Sequence, residues 1–322
     1  MLPSRCIAAI FLLAVFAAAS AGAQEPYPTH PVRVVVPAPG GSTTDTLARI
    51  VADALSQTWG QPAVVENIGG GMVVGAAQVY RSAPDAYTLL VSPPAPIALN
   101  QLLYRDLHYD PQQFVPVALL AKVANAMVVR RDLPAANVKE LIAYAKANPD
   151  KLSYGSQGVG STAHLSASQF EQMAGIKMVH VPYRGAVAAL TDVIAGRMDM
   201  FFDTLATSVP MYRADKVKIL GVGSPERSPV IPEVPTIEEQ GLPGFRSVTW
   251  FAVVAPPQTP QALAEKINHD IVDVLRRPDV ADKLGKLSLE PLIGSRSDAA
   301  SFFAEEAQLW GKVIATANIK LE

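Results

Sequence analysis

Two stretches of this chain crowd Gly, Ser and Thr, with an acid or an imidazole, into single turns of backbone. These residue types can hold an organic anion without a metal. The first is Pro37-Ala38-Pro39-Gly40-Gly41-Ser42-Thr43-Thr44-Asp45, and the second is Gly155-Ser156-Gln157-Gly158-Val159-Gly160-Ser161-Thr162-Ala163-His164. Each follows a short apolar run and opens a stretch of helical periodicity. Such a turn leaves unpaired backbone N–H groups at a helix amino end, where the helix dipole also favours negative charge. Two turns make two anion sites, and if they face one cleft the chain is expected to hold a small organic anion, such as one with two acidic ends. The plainer role is helix capping, for which Ser, Thr and Asp are well suited. Three successive hydroxyls after a Gly pair exceed what capping needs.

Other residues could serve the same cleft. Tyr183 and Arg184, in Val181-Pro182-Tyr183-Arg184-Gly185, follow a strand and precede a helix. Asp203 closes the apolar run Met200-Phe201-Phe202, placed either to take a ligand hydroxyl or amine or to cap the helix beginning near Leu205. The Gly69-Gly70-Gly71 run permits close backbone approach. Ser161 and His164 stand three apart on one helix face, which raises a serine hydrolase, but there is no G-x-S-x-G elbow and no acid placed to orient the imidazole. The chain also lacks G-x-x-x-x-G-K, G-x-G-x-x-G and H-E-x-x-H, and its 5 histidines are scattered. No metal and no cofactor is expected.

The elements that would position these residues alternate in type along the chain. Strands are expected at Val32–Val36, Ala63–Glu66, Thr88–Val91, Val115–Leu120, Ala126–Arg130, Leu152–Tyr154, Met178–Val181, Met198–Phe202, Ile219–Val222 and Trp250–Ala255. Helices are expected at Thr46–Thr58, Val73–Ala83, Asn137–Asn148, Thr162–Ala174, Ala186–Ala195, Leu205–Ala214, Thr236–Gln240, Pro260–Arg276, Pro278–Leu287 and Ser297–Ala317. Alternation of this kind predicts an α/β protein with mostly parallel sheets, whose ligands bind beyond the carboxyl ends of the strands. A chain that leaves one sheet near residue 125 and returns near 250 would join two lobes by two crossing strands. The expected partition is residues 24–124 in a first lobe, 125–249 in a second, and 250–322 returning to the first.

Residues 1–23 read as a secretory leader, with Arg5, an apolar run from Ile7 to Ala19, and an Ala21-Gly22-Ala23 exit that places cleavage after Ala23. The single cysteine, Cys6, lies within it, so disulfides and thiol chemistry are excluded from the mature chain. The formal net charge is −2, one unit more negative without Arg5, and has no block of like charge. That balance excludes nucleic acid and anionic membranes as expected partners. A monomer is the expected state.

Many short motifs occur in an order that resembles one family. They include Tyr27-Pro28 with Pro31-Val32-Arg33, the Gly-Gly turn with Asp45, Val64-Val65-Glu66-Asn67, Tyr87-Thr88-Leu89-Leu90 and Tyr109-Asp110-Pro111. Then come Gly160-Ser161-Thr162 with His164-Leu165, His180-Val181-Pro182-Tyr183-Arg184-Gly185, Asp199-Met200 with Phe202-Asp203, Val234-Pro235-Thr236 and Gly241-Leu242-Pro243-Gly244. The chain resembles the substrate-binding receptors of tripartite tricarboxylate transporters, the Bug-type periplasmic receptors. The resemblance implies a two-lobe, Venus-flytrap (type II-like) periplasmic binding protein, not an enzyme, that clamps a carboxylate and delivers it to membrane permease subunits. It implies ligand contacts at Gly41, Ser42, Thr43 and Asp45, at Gly160, Ser161, Thr162 and His164, and at Tyr183, Arg184 and Asp203. Gly40 and Gly158 complete the two turns. A periplasmic carboxylate co-sensor is the alternative in the same ligand class, and an exported hydrolase using Ser161 and His164 is the alternative in another.

Departures from the family pattern bear on the pocket. Ala38 stands where the family has an aromatic residue, and the Gly pair comes one place early. Asn67-Ile68-Gly69-Gly70-Gly71-Met72 lacks the usual basic residue. Ser92-Pro93-Pro94-Ala95-Pro96 replaces a common Gly-Thr and polar follower. Ala38, Met72, Ser92, Pro93 and Ala95 are therefore expected to form a larger, stiffer and more apolar wall. Such a wall suits a carboxylate with a bulky apolar body, an aromatic acid or a longer dicarboxylate.

Overall fold

The computed structural model describes residues 27–70, 72–317 and 319–320; the leader, its cleavage point and Gly71 lie outside the described residues. Three runs of Val, Leu and Ile near the start pair side by side: β1 (Val32–Val36), β2 (Ala63–Asn67) and β3 (Thr88–Ser92), with β1 parallel to both others. Val32, Val34, Val35 and Val36 of β1 are all buried, as expected of a central parallel strand covered on both faces. Between β1 and β2 runs α1 (Thr43–Trp59), whose Leu47, Ala48, Val51, Ala52 and Leu55 face the core at helical spacing. Ser42 caps it by accepting from the Asp45 N–H, and Gly60 ends it with φ 65°, a left-handed conformation that a side chain would disfavour. Helix α2 (Val73–Tyr80) joins β2 to β3. A π-helical turn at Ala95–Leu99 and the short α3 (Asn100–Leu103) follow β3. Apolar spacing gives no helix there, and the prolines at 93, 94 and 96 were read only as a stiff, apolar wall. Pro94 and Pro96 instead sit at the start of a helical segment, where a missing N–H costs nothing.

One strand then spans the molecule. The runs expected as separate strands at Val115–Leu120 and Ala126–Arg130 are continuous in β4 (Val115–Arg130), because Ala121 to Asn125 keep an extended backbone. Its first part pairs antiparallel with β9 (Val248–Ala255), from Val115 opposite Ala255 to Ala124 opposite Val248. Its last part pairs antiparallel with β7 (Met200–Thr204) and β8 (Val217–Val222). Register shifts at Pro116/Ala118, Leu119/Ala121 and Met127/Val128 absorb the twist of so long a strand. Beyond it α4 (Val138–Ala147) leads to β5 (Ser153–Ser156), which lies parallel to β6 (Val179–Pro182) and β7. Helices α5 (Thr162–Ala174), α6 (Ala186–Ile194) and α7 (Leu205–Arg213) connect these strands. The chain ends with α8 (Gln261–Arg276), α9 (Pro278–Lys286), the two-residue β10 (Glu290–Pro291) against β4, and α10 (Arg296–Ala317).

The strand order is β2-β1-β3-β9-β4-β7-β5-β6, with β8 and β10 also on β4. The parallel pairs are thus confined to β1 with its neighbours and β5 with its neighbours, while β4 and β9 run antiparallel through the middle. Thr236–Gln240, expected as a helix, is a capped turn: Glu239 accepts from the Thr236 N–H, and Thr236 Oγ1 accepts from the Glu239 N–H. Gly241 at φ 106° stops any continuation.

Where β4 passes from β9 to β7, three chain segments meet. Asn125 N–H donates to the Ser247 carbonyl, Gly223 N–H to the Asn125 carbonyl and Ser247 N–H to the Gly223 carbonyl. Asn125 Nδ2 also donates to Ser247 Oγ at 2.9 Å, and Asn125 Oδ1 accepts from Thr249 Oγ1 at 3.0 Å. A Cβ at Gly223 would lie 2.6 Å from Ser247 Cβ, so only glycine allows this crossing.

Candidate functional site

The amino ends of α1, α2, α5, α6 and α7 all border one cleft, through Ser42 and Thr43, Met72, Ser161 and Thr162, Gly185 and Ala186, and Thr204 respectively. The α/β alternation causes this, since each of these helices follows the carboxyl end of a strand. About 710 Å³ not filled by atoms lies there, open solvent at the mouth included. Pro37, Ala38, Pro39, Met72, Pro93, Ala95 and Phe251 supply apolar wall. The charged residues bordering it, among the described residues, are Arg184 and Asp203. Arg184 is exposed and makes no ion pair among the described residues.

The first turn is built from below. Asp45 accepts from the Gly41 N–H at 2.9 Å, from Asn67 Nδ2 at 2.9 Å and from Arg49 Nε at 3.0 Å, while Asn67 Nδ2 also donates to the Ala38 carbonyl. Burial alone would raise the Asp45 pKa, but the bonds from Arg49, Gly41 and Asn67 hold it below the usual carboxylate value. Asp45 and Gly41 are therefore not wall residues as expected: the carboxylate faces its own turn, and Gly40 lies on that same inner side, with a Cβ there 3.9 Å from Asn67 Oδ1. What reaches the cleft is Ser42, Thr43 and Thr44. The N–H groups of Thr43 and Thr44 have no partner among the described residues.

The second turn divides in the same way. Ser161 and Thr162 border the cleft; Gly158, Gly160 and His164 do not. Gly160 N–H donates to His164 Nδ1 at 3.0 Å, Gly158 N–H donates to Ser156 Oγ at 3.1 Å, and the Gly158 carbonyl accepts from Ser161 Oγ at 2.7 Å. These groups spend their bonds shaping the loop. The His164 ring stacks on His180 at 4.0 Å and 5°, and His180 stacks on Tyr154 at 4.9 Å. His180 Nε2 meets Ser156 Oγ at 2.7 Å. Tyr183 is turned away too, donating its hydroxyl to Asp192 at 2.7 Å. Ser92 is fully buried with its hydroxyl on the Pro93 carbonyl, so Pro93 and Ala95 carry that wall instead. Ser161 and His164 make no hydrogen bond with each other, each being committed to loop backbone.

Burial, and for His164 also the neighbouring His180, lowers the two imidazoles to about 3 (His164) and about 4 (His180). Both are neutral in the folded chain, whereas the unfolded chain takes up protons below about 6.5. Their contribution to stability is thus complete above that pH and is lost as pH falls toward the folded values. Urea unfolding of the mature chain at pH 7 and pH 4.5 is expected to show a larger drop for the wild type than for His180→Gln. Equal drops would remove the stacked pair from the acid response.

Asp203 is almost fully buried, with one side-chain oxygen accepting from Thr207 Oγ1 at 2.7 Å and Oδ1 left without a partner. Burial raises its carboxyl to about 7. Thr207 Oγ1 meets Thr204 Oγ1 at 2.9 Å, and Thr204 Oγ1 meets Thr43 Oγ1 at 2.7 Å, which ties α7 to α1 across the cleft. Gly185 (φ 148°) faces Pro39, and Gly160 (φ 78°) faces Leu103; Cβ atoms there would come within 2.7 Å and 2.1 Å of those side chains. Thr44, Gln157, Gly185, Ala186, Thr204, Thr249 and Phe251 also border the cleft and were missed from sequence. Thr44, Gln157 and Gly185 lie inside motifs already singled out, so position alone could have flagged them. Thr249 and Phe251 carry no local signal, because they enter through the returning strand β9.

Comparison with known proteins agrees with this architecture. The family profile described as tripartite tricarboxylate transporter family receptor matches residues 47–319. A protein encoded in the tcbD-tcbE intergenic region of Pseudomonas sp. strain P51 is 35% identical over 313 residues, covering 96% of this chain and 93% of that one. Among solved structures, Rhodopseudomonas palustris Rpa4515 with adipate is 37% identical with a TM-score of 0.88, covering 91% of this chain and 99% of that one. MatC from the same species, with bound malate, is 32% identical with a TM-score of 0.84, covering 89% and 100%. The chain belongs to the tripartite tricarboxylate transporter receptor family, as its motifs indicated, and has the fold of the periplasmic binding proteins.

Proposed function

We propose that this chain is a periplasmic receptor that captures a small organic carboxylate between two lobes and hands it to the permease subunits of a tripartite transporter. The observation that carries this reading is the convergence of several helix amino ends on one cleft whose cation without an ion pair, among the described residues, is Arg184. Unpaired N–H groups at Thr43 and Thr44, hydroxyls at Ser42, Ser161 and Thr162, and the guanidinium at the rim offer a carboxylate donors from both sides. Among the described residues Ser161 and His164, the pair a hydrolase would use, are each bonded to loop backbone and not to each other, which favours binding over hydrolysis. The lobes meet at residues 125 and 247, where three segments cross; rotation about that crossing opens and closes the cleft. The Ala38, Met72, Pro93, Ala95 and Phe251 wall suits a ligand with an apolar body, an aromatic acid or a longer dicarboxylate.

Thermal denaturation of the mature chain with a panel of carboxylic acids tests this. Acids with an aromatic ring or a chain of adipate length are expected to raise Tm by several degrees at millimolar concentration, in proportion to RT ln(1 + [L]/Kd). A panel in which only small polar dicarboxylates stabilise the protein would contradict the apolar-wall part. A panel in which no acid does so would contradict the receptor reading.

A further inference from the structure

We propose that Leu103 of the first lobe and Gly160 with Leu165 of the second form an apolar latch behind the second donor turn, which favours the closed arrangement and so sets the affinity for the acid. The proposal rests on the two-lobe receptor reading above and adds a positioning residue, Leu103, that acts on binding without touching the ligand. Its ground is a core that mixes the two lobes. Leu165 stands on α5, within residues 125–249, yet is fully buried in the cluster that holds Val35 of β1, Leu90 of β3, Trp250 of β9 and Trp310 of α10. Val159, beside Gly160, packs against the same cluster. Leu103, at the end of α3, is 2% exposed and lies so close to Gly160 that a Cβ there would come within 2.1 Å of Leu103 Cδ1. Leu103, Gly160 and Leu165 all lie outside the cleft lining. Helix α10 packs on both α5 and the turn Ala95–Leu99, and Glu306 fixes it by accepting from the indoles of Trp250 and Trp310 at 2.7 and 3.1 Å.

The placement of α5 makes this contact sensitive to rotation of the lobes. Ser166 Oγ meets Ser247 Oγ at 2.5 Å, which pins α5 to the chain crossing about which the lobes turn. Leu165 adjoins the pin and moves little. Gly160 precedes the start of α5, more than a helical turn from the pin, and moves further. A rotation that draws Gly160 off Leu103 returns apolar surface to water. A rotation that drives them together meets a side chain with no room to yield, because the cluster around Leu103 is close-packed. Either sense disfavours the open arrangement relative to the one described, in which Thr43 and Thr204 meet across the cleft at 2.7 Å. A ligand that needs the lobes closed binds in proportion to the closed fraction. The same contact steadies Ser161 and Thr162, which follow Gly160 directly and border the cleft.

The test is small-angle scattering of the mature chain without ligand, followed by calorimetric titration with adipate and with benzoate. Leu103→Ala is expected to raise the ligand-free radius of gyration above the wild-type value, with helix content by circular dichroism unchanged. Saturating acid is expected to reverse that expansion, and the affinity for the acid to fall about tenfold. Leu103→Val, a smaller truncation, keeps the test available should the alanine variant fail to fold, and is expected to move both readouts in the same direction by less. Leu103→Met, which nearly conserves the volume, is expected to keep the wild-type radius and affinity. A ligand-free radius unchanged in both truncations, whatever their stability, would make Leu103 core packing alone and overturn the latch while leaving the carboxylate receptor standing. Binding of neither acid by the wild type would contradict the ligand class proposed above, and the ligand-free scattering would still decide the latch.

Discussion

Gly185→Ala is expected to weaken capture of an organic acid by at least about tenfold, or about 1.4 kcal/mol, with little change in the helix and strand content of the chain. Two effects act together at this position. The backbone at Gly185 has φ 148°, a region that side chains rarely adopt, with a cost on the order of 1–3 kcal/mol. The new Cβ would also lie 2.7 Å from Pro39 Cγ and 2.9 Å from Pro39 Cδ, and a proline ring has little freedom to yield. Pro39 belongs to the first turn and Gly185 opens α6, so the clash falls between the two sides of the cleft and penalises their approach. A ligand that binds only when the sides approach then loses affinity by the added cost. Titration calorimetry of wild type and variant with the same acid checks the affinity, and small-angle scattering checks whether the variant stays expanded when the acid is present. Unchanged affinity would show that Gly185 and Pro39 need not approach for binding.

Asp45→Ala is expected to cost about 3 kcal/mol of stability and to weaken acid binding as well. The carboxylate is the common acceptor for Gly41, Arg49 and Asn67, and Asn67 in turn holds the Ala38 carbonyl. Removing it frees the turn that carries Ser42 and Thr43 to the cleft without touching the cleft itself. The sign of its pH dependence follows from the lowered pKa. The stabilisation is fully present above the ordinary carboxylate value and is lost as pH falls through the lowered folded value, so wild type and variant converge in acid. Asp45→Asn, which keeps one acceptor oxygen, is expected to fall between them. Urea unfolding at pH 7 and pH 3 measures the convergence, and titration at pH 7 measures the loss of affinity. A variant that is less stable yet binds normally would make Asp45 structural only.

Period and punctuation made much of this fold legible in the sequence. β1 at Val32–Val36 and α5 at Thr162–Ala174 have the bounds that apolar spacing and flanking Gly or Ser imply. The same local signals hid β4, because Ala121-Lys-Val-Ala-Asn125 has no β-branched run to mark it as strand, and its extended form is fixed by β9 on one side. Thr236–Gln240 failed in the opposite sense: Glu239 and Thr236 bond to each other as at a helix start, but Gly241 follows at once.

At the site, the two Gly-Ser-Thr turns and Asp203 were readable as residue types that suit an anion or a polar ligand group. Which of them face the cleft was not. Asp45, His164 and Tyr183 carry the chemistry that draws attention in a sequence, yet each is turned to its own loop by a short local bond: to Gly41, Gly160 and Asp192. Those bonds depend on side-chain direction, which spacing along a chain does not encode. Thr249 and Phe251 reach the cleft only because β9 returns beside β4 from more than a hundred residues away.

The most direct test of the central claim is native mass spectrometry of the mature chain after incubation with a mixture of mono-, di- and hydroxycarboxylic acids, free sugars and simple amines. The account predicts one adduct per chain, its mass that of an organic acid, and a smaller bound fraction in Gly185→Ala. An adduct formed with a sugar or an amine, or an empty protein in the presence of every acid, would contradict it.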